Sequence, residues 1–170
     1  MDRTFTCCFT GGRPEHIGFD TNDTISLEAL KRDLECAIRN AVSNGYTDFI
    51  CGMSRGFDLW AGEIVASLST SLDIRLHAAI PFRGQTNGWT KNDLITYENV
   101  LRACSSTYIL SESYTRDTYH IRNRFMVDNS SLVIAWNIGR GRGGTDYTCQ
   151  YAQKQQVTII NLANAQLSLY

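Results

Sequence analysis

The stretch "TDFICGMSRGFDLWAGEIVASL", residues 47–68, decides the fold. Its first five residues, Thr47 to Cys51, read as a buried strand. A loop follows with glycine at 52 and 56 and an arginine between them. From Asp58 the spacing changes: Trp60, Ile64, Val65 and Leu68 share one face of a helix. Strand, glycine loop, helix is the repeating unit of a parallel α/β domain.

The unit recurs on both sides of this stretch. Further strand-like runs lie at 4–9, 74–80, 106–110, 131–136 and 157–161. Helical faces lie between them: Leu27, Leu30, Leu34, Ile38, Ala41 and Val42 form one, with Gly45 as its stop. Leu94, Tyr97, Val100 and Leu101 form another, and 119–129 and 145–156 supply two more. The expectation is an α/β, Rossmann-like three-layer domain, with a mainly parallel sheet of about six strands, spanning 1–170. Right-handed crossovers then place every strand-to-helix loop on one edge of the sheet.

Composition bounds the function. The apolar fraction is 43% and the charged fraction 19%, ordinary for a globular chain. The sequence contains no apolar run long enough to span a membrane. "MDRTFTCC" has no signal-peptide architecture, so a cytoplasmic protein is expected. The six cysteines show no metal-binding spacing, and they read as small buried residues in a reducing compartment. No metal and no cofactor is implied. A net charge of −1 disfavours nucleic acid as a partner. Yet the 16 basic residues comprise 13 arginines and 3 lysines, and arginine is the better side chain for bidentate contact with phosphate.

In this fold class a ligand sits beyond the carboxyl ends of the strands. The loops there read TGGRP (10–14), GMSRGFD (52–58), PFRGQTNGW (81–89), SESYTRDTYHIRNR (111–124) and NIGRGRGGT (137–145). Arginines 13, 55, 83, 122, 124, 140 and 142 fall in them. "GRGRGGT" (139–145) follows a strand and opens a helix, so its backbone N–H groups can cradle a phosphate. It happens to fit the G-x-G-x-x-G spacing, but it lies in the last strand–helix unit and has no ribose-binding acid after Asp146. The alternative is a flexible surface loop.

The other loops carry paired readings too. Gly52 and Gly56 let backbone approach a ligand. Asp58 reads first as a helix cap, and as a catalyst only if the protein is an enzyme. Glu63, a turn into the same helix, is the nearest other carboxylate, and a solvated helix face explains it equally. Trp89 either stacks on a base or folds back onto the core. Arg122, Phe125 and Met126 fall on one helix face, the last two as core. His120 reads as a structural histidine. An Arg13 placed between two glycines and Pro14 reads as a ligand-binding hand.

Together and in order, "TCCFTGGRPE" (6–15), "GMSRGFDLWAGE" (52–63), "AAIPFRGQ…W" (78–89), "IRNRFMVDNSSLVIAW" (121–136) and "GGTDYTCQYA" (143–152) resemble the YpsA-like proteins of the SLOG superfamily. "CGMSRGFD" also resembles the glycine–arginine motif of the DNA-processing protein DprA, and "IRNR…GGT" the signature stretches of the LONELY GUY phosphoribohydrolases. The resemblance implies a Rossmann-like fold that binds nucleotides or nucleotide-derived ligands such as ADP-ribose or an NAD derivative. It implies a ligand site at Thr10, Gly11, Gly12, Arg13, Pro14, Gly52, Arg55, Gly56, Arg83, Trp89, Arg122, Asn123, Gly143, Gly144 and Thr145. Gly12 stands where the YpsA-like pattern usually has histidine. Asn123 replaces the lysine of the phosphoribohydrolase pattern, and Thr148 its catalytic glutamate, which argues against that activity. The expected partner is therefore a nucleotide-derived small molecule, sensed or sequestered. An N-glycosidic hydrolase using Glu63 or Asp58 is the alternative, and single-stranded DNA binding ranks below it. A homo-oligomer is left open.

Overall fold

Six strands, all parallel, form one sheet in the order β4-β3-β2-β1-β5-β6. The computed structural model describes residues 1–163; residues 164–170, the end of the expected domain, lie outside the described residues. Along the chain the elements are β1 (Thr6–Gly11), α1 (Thr24–Ser43), β2 (Asp48–Cys51), α2 (Phe57–Leu68), β3 (Arg75–Ile80), α3 (Lys91–Ala103), β4 (Ser106–Ile109), α4 (Thr118–Asp128), β5 (Leu132–Trp136), α5 (Gly144–Lys154) and β6 (Thr158–Asn161). Each expected strand and helix is present, and the sheet is wholly rather than mainly parallel.

The strand sequences explain the three layers. Central strands of a parallel sheet are covered on both faces, so they read as unbroken apolar runs rather than alternating ones. Phe9, Phe49, Ile134 and Trp136 point to one face, where Leu30, Leu34 and Ile38 of α1, Val65 of α2 and Val100 of α3 meet them. Cys8, Ile50, Val133 and Ala135 point to the other, against Met126 and Val127 of α4 and Cys149 and Ala152 of α5. The register fixes this alternation: Cys8 lies between Ile50 and Val133.

Helix starts follow local chemistry. Asp23 caps α1 by accepting from Ile25 N and Ser26 N, and Thr90 caps α3 by accepting from Asp93 N. By contrast, α2 and α5 start at glycines, Gly56 and Gly143, with no side-chain cap. Asp58, expected as the α2 cap, lies instead in the first turn, and its carboxylate is used elsewhere.

The strand order has one consequence for function. From β1 the chain steps outward through β2 and β3 to β4, then returns to the far side of β1 with β5 and β6. The loops after β1 and β5 therefore leave in opposite directions. The crevice between them, at the carboxyl ends, is where open α/β sheets take ligands.

Candidate functional site

A cleft of about 610 Å³ opens at that switch point. Thr10 to Arg13 after β1 form one wall, and Trp136 to Ile138 with the 139–145 loop after β5 form the other. Arg116, Tyr119, His120, Arg122, Asn123 and Met126, on or just before α4, close the third side, and Ser54 and Asp58 lie at its base. The volume is in the range of ordinary small-molecule sites, roughly 300–1,000 Å³.

The β5 loop is built by glycine. Gly139, Gly141 and Gly143 all adopt positive φ, at 72°, 69° and 123°. A Cβ at any of the three would meet nothing within 4 Å. Conformation, not space, is what requires glycine there. The loop ends on the uncapped first turn of α5, whose orphan N–H groups carry the positive end of the helix dipole. Arg140 and Arg142 stand exposed on the same loop.

The β1 loop interlocks with the start of α2. Phe57 N donates to the Gly12 carbonyl at 3.2 Å. A Cβ on Gly11 would fall 2.3 Å from Phe57 Cγ, and one on Gly56 would fall 2.7 Å from the Gly12 carbonyl oxygen. These glycines fit two loops together. Arg13 projects from the joint, exposed, with its guanidinium 5.6 Å over the Tyr119 ring.

Arg122 is arranged differently. Its side chain is 7% exposed. Nη1 donates to the Gly52 carbonyl and, at 3.1 Å, to Asp58 Oδ2, and Nη2 donates to Ser54 Oγ at 3.2 Å. Nε is buried without a partner among the described residues. Burial pushes the Asp58 carboxyl up from its ordinary value, and the Arg122 guanidinium and the Ser54 backbone draw it back only in part. The Arg122 guanidinium is thus committed to holding the β2–α2 loop against α4. Met53, in that loop, has a left-handed backbone at φ 57°.

The cleft gathers Thr10, Gly11, Gly12, Arg13, Arg122, Asn123, Gly143, Gly144 and Thr145 from the expected set, together with Asp58. It does not take in Pro14, Gly52, Arg55, Gly56, Arg83, Trp89 or Glu63. Arg55 pairs with Glu15 and lies 3.6 Å from Asp93 Oδ2. Arg83 Nε donates to Glu112 at 2.7 Å on the exposed surface. Trp89 folds back onto the core, its ring perpendicular to Tyr97 at 5.6 Å. Glu63 faces a shallow groove between α1 and α2, beside Lys31, Arg39 and Trp60. Gly52 touches Arg122 and Asp58: its Cβ would lie 2.0 Å from Arg122 Nη1.

Arg116, Tyr119, Ser54 and His16 line the cleft without having been candidates in the sequence reading. Arg116 lies inside the 111–124 stretch but looks no different there from a solvated arginine. Ser54 lies within GMSRGFD and Tyr119 within the 111–124 stretch, but neither residue type marks itself there as a cleft contact. Among the described residues no cluster of three metal-ligating side chains occurs, and no helix is long and apolar enough to cross a membrane.

A family model for YpsA, the YspA SLOG family, matches residues 7–166, nearly the whole chain. The chain belongs to the YpsA family. It is similar to the UPF0398 proteins of Bacillus thuringiensis (strain Al Hakam) and Bacillus cereus (strain Q1), at 26% identity over 149 residues, 86% of this chain and 81% of theirs. Among solved structures it is similar to DNA processing protein A (DprA) from Streptococcus pneumoniae, with a TM-score of 0.58 and 16% identity. That match covers 91% of this chain and 48% of DprA, so this YpsA-family chain spans about half its length, and the likeness is one of fold.

Thr148 is buried and donates Oγ1 to the Gly144 carbonyl at 2.7 Å. Asn123 Nδ2 donates to the same carbonyl at 3.4 Å. In this YpsA-family protein both side chains are engaged in anchoring the first turn of α5.

Proposed function

We propose that the cleft binds a nucleotide or nucleotide-derived ligand, such as ADP-ribose or an NAD derivative, to sense or sequester it. One observation carries the reading. Arg13, Arg116, Arg140 and Arg142 all line the cleft, and none has an ion-pair partner among the described residues. Arg55, Arg75 and Arg122, by contrast, are each paired with a carboxylate. Four that face one cleft without any are set for an anionic ligand. The first turn of α5 and the glycines before it suit a phosphate, which needs close backbone approach and N–H donors. Calorimetry against AMP, ADP-ribose and NAD tests this, and no binding of any of them at millimolar concentration would falsify it.

The second reading, cleavage of an N-glycosidic bond, draws support from Asp58, a carboxylate at the base of the cleft whose pKa is raised by burial. Against it stand the Arg122 pairing, the placement of Glu63 on another face and the threonine at 148. Incubation with nucleotides decides the matter. Free base whose release is abolished by Asp58→Asn supports hydrolysis; no free base leaves the binding reading alone. DNA handling, which the name of DprA suggests, fits a chain of net charge −1 less well.

A further inference from the structure

Three rings stand in a column behind one wall of the cleft. His120 lines the cleft with 42% of its side chain exposed. Its ring stacks on Tyr147 at 4.1 Å, 22° from parallel. Tyr147 stacks in turn on Tyr151 at 6.3 Å and 8°. The spacing comes from two neighbouring helices. His120, Arg124 and Asp128 succeed one another at every fourth position on α4, as Tyr147 and Tyr151 do on α5, so each set shares one face.

Polar contacts lock the column. Arg124 Nη1 donates to Tyr147 Oη at 2.8 Å, and Tyr151 Oη donates to Asp128 Oδ1 at 2.9 Å. Tyr147 does not line the cleft; His120 stands between it and the open space. One face of the imidazole is therefore backed by a fixed ring. Among the described residues His120 stacks on no second ring.

A ring fixed in this way is ready to stack on another, because little side-chain freedom is lost when it does. The phosphate has its own place on the β5 loop. We propose that His120 is the stacking platform for the planar base of the ligand, with Tyr147 and Tyr151 as its backing. This rests on the nucleotide reading and deepens it: the ligand is one whose base contributes to binding alongside its phosphate. It also moves the base-binding role from Trp89, which is packed against Tyr97 outside the cleft, to a residue that lines it.

The test compares AMP with ribose 5-phosphate, its counterpart without a base, on three proteins. Wild type is expected to bind AMP at least ten-fold more tightly. His120→Ala should bring the two affinities together by weakening AMP alone. His120→Phe, which keeps a flat ring, should preserve the preference. An unchanged preference in His120→Ala, equal weakening of both ligands, or loss of the preference in His120→Phe would each overturn the proposal. So would a wild type that binds both ligands equally, which leaves the phosphate site standing. A wild type that binds neither removes the nucleotide reading itself, and the platform with it. Melting curves on all three proteins confirm that they remain folded.

Discussion

A Cβ at position 52 would lie 2.0 Å from Nη1 of Arg122 and 2.6 Å from Oδ2 of Asp58. The backbone of Gly52 is outside the left-handed region, so only space demands glycine there. Gly52→Ala must displace a buried guanidinium that holds the β2–α2 loop. The expected loss is at least about 2 kcal/mol of stability, combining overpacking with a strained ion pair. Chemical denaturation measures it, and a loss below about 0.5 kcal/mol would mean that Arg122 has another place to go.

Gly141→Ala should behave differently. Its φ of 69° disfavours a side chain, but the added methyl meets nothing. The expected penalty is about 1 kcal/mol or less, with a larger effect on ligand affinity, because the loop shape presents the α5 N-terminus. Affinity and denaturation midpoint on the same sample separate the two effects. A variant with intact affinity and reduced stability would count against a phosphate cradle.

Gly52 and Gly141 show where sequence reading stops. Both are glycines of an arginine-containing strand-to-helix loop, and from sequence both read as points of close backbone approach to a ligand. The six strands were legible because buried parallel strands are continuous apolar runs. The edge that carries the cleft was legible because a parallel α/β sheet puts its strand-to-helix loops together at the carboxyl ends. Pairing was not. Arg122 meets Asp58 across 64 residues and Arg55 meets Glu15 across 40. No periodicity records such contacts, so paired and unpaired arginines look alike until the chain is folded.

Arg122→Ala is expected to destabilise the protein by about 3–5 kcal/mol, as breaking a buried ion pair does. The penalty should depend on pH. Burial already raises the Asp58 carboxyl, and Arg122 is the main force opposing that rise. Without it the folded protein prefers a protonated Asp58, which costs stability as pH climbs above the unfolded value near 3.8. The loss should therefore be smaller at pH 5 than at pH 8, and Asp58→Asn in the same chain should recover part of it. A penalty independent of pH would show that Asp58 ionises freely without its partner.

The opposite edge of the sheet offers a second pH dependence. Asp48 accepts from Arg75 Nε and Nη2 at 2.9 and 2.8 Å and lies 2.7 Å from His77 Nε2, while His77 Nδ1 meets Ser106 Oγ at 2.7 Å. Burial works to raise the Asp48 carboxyl, but hydrogen bonds from Arg75, His77 and Thr47 together outweigh it and hold the pKa at about 2. Burial also lowers the His77 imidazole, against the pull of Asp48. A depressed carboxyl stabilises the fold above its unfolded value of 3.8 and loses that contribution as pH falls through about 2. A depressed histidine stabilises it above 6.5 and loses its share as pH falls below that value. Asp48→Asn should be the less stable protein at pH 7, and the gap should narrow by about 2 kcal/mol between pH 4 and pH 2. A constant gap across that window would exclude Asp48 as the titrating group.

Arg13 provides the sharpest contrast with Arg122. Both guanidinium groups lie within 6 Å of the Tyr119 ring, at 5.6 and 5.9 Å. Only Arg122 has a carboxylate partner; Arg13 is exposed and has no ion pair among the described residues. Its hold on Tyr119 fixes its direction without neutralising its charge. Arg13→Ala should therefore change the melting temperature little and weaken ligand binding by about 1.5–3 kcal/mol, the range of a charge-assisted hydrogen bond. Arg122→Ala should do the reverse, losing stability first and affinity only as a consequence. Melting and calorimetry run in parallel on the two variants give a two-by-two comparison. If Arg13→Ala lowers the melting temperature sharply and the remaining folded protein binds as before, Gly-Gly-Arg-Pro is scaffolding, and the anion must be held by Arg116, Arg140 and Arg142 alone.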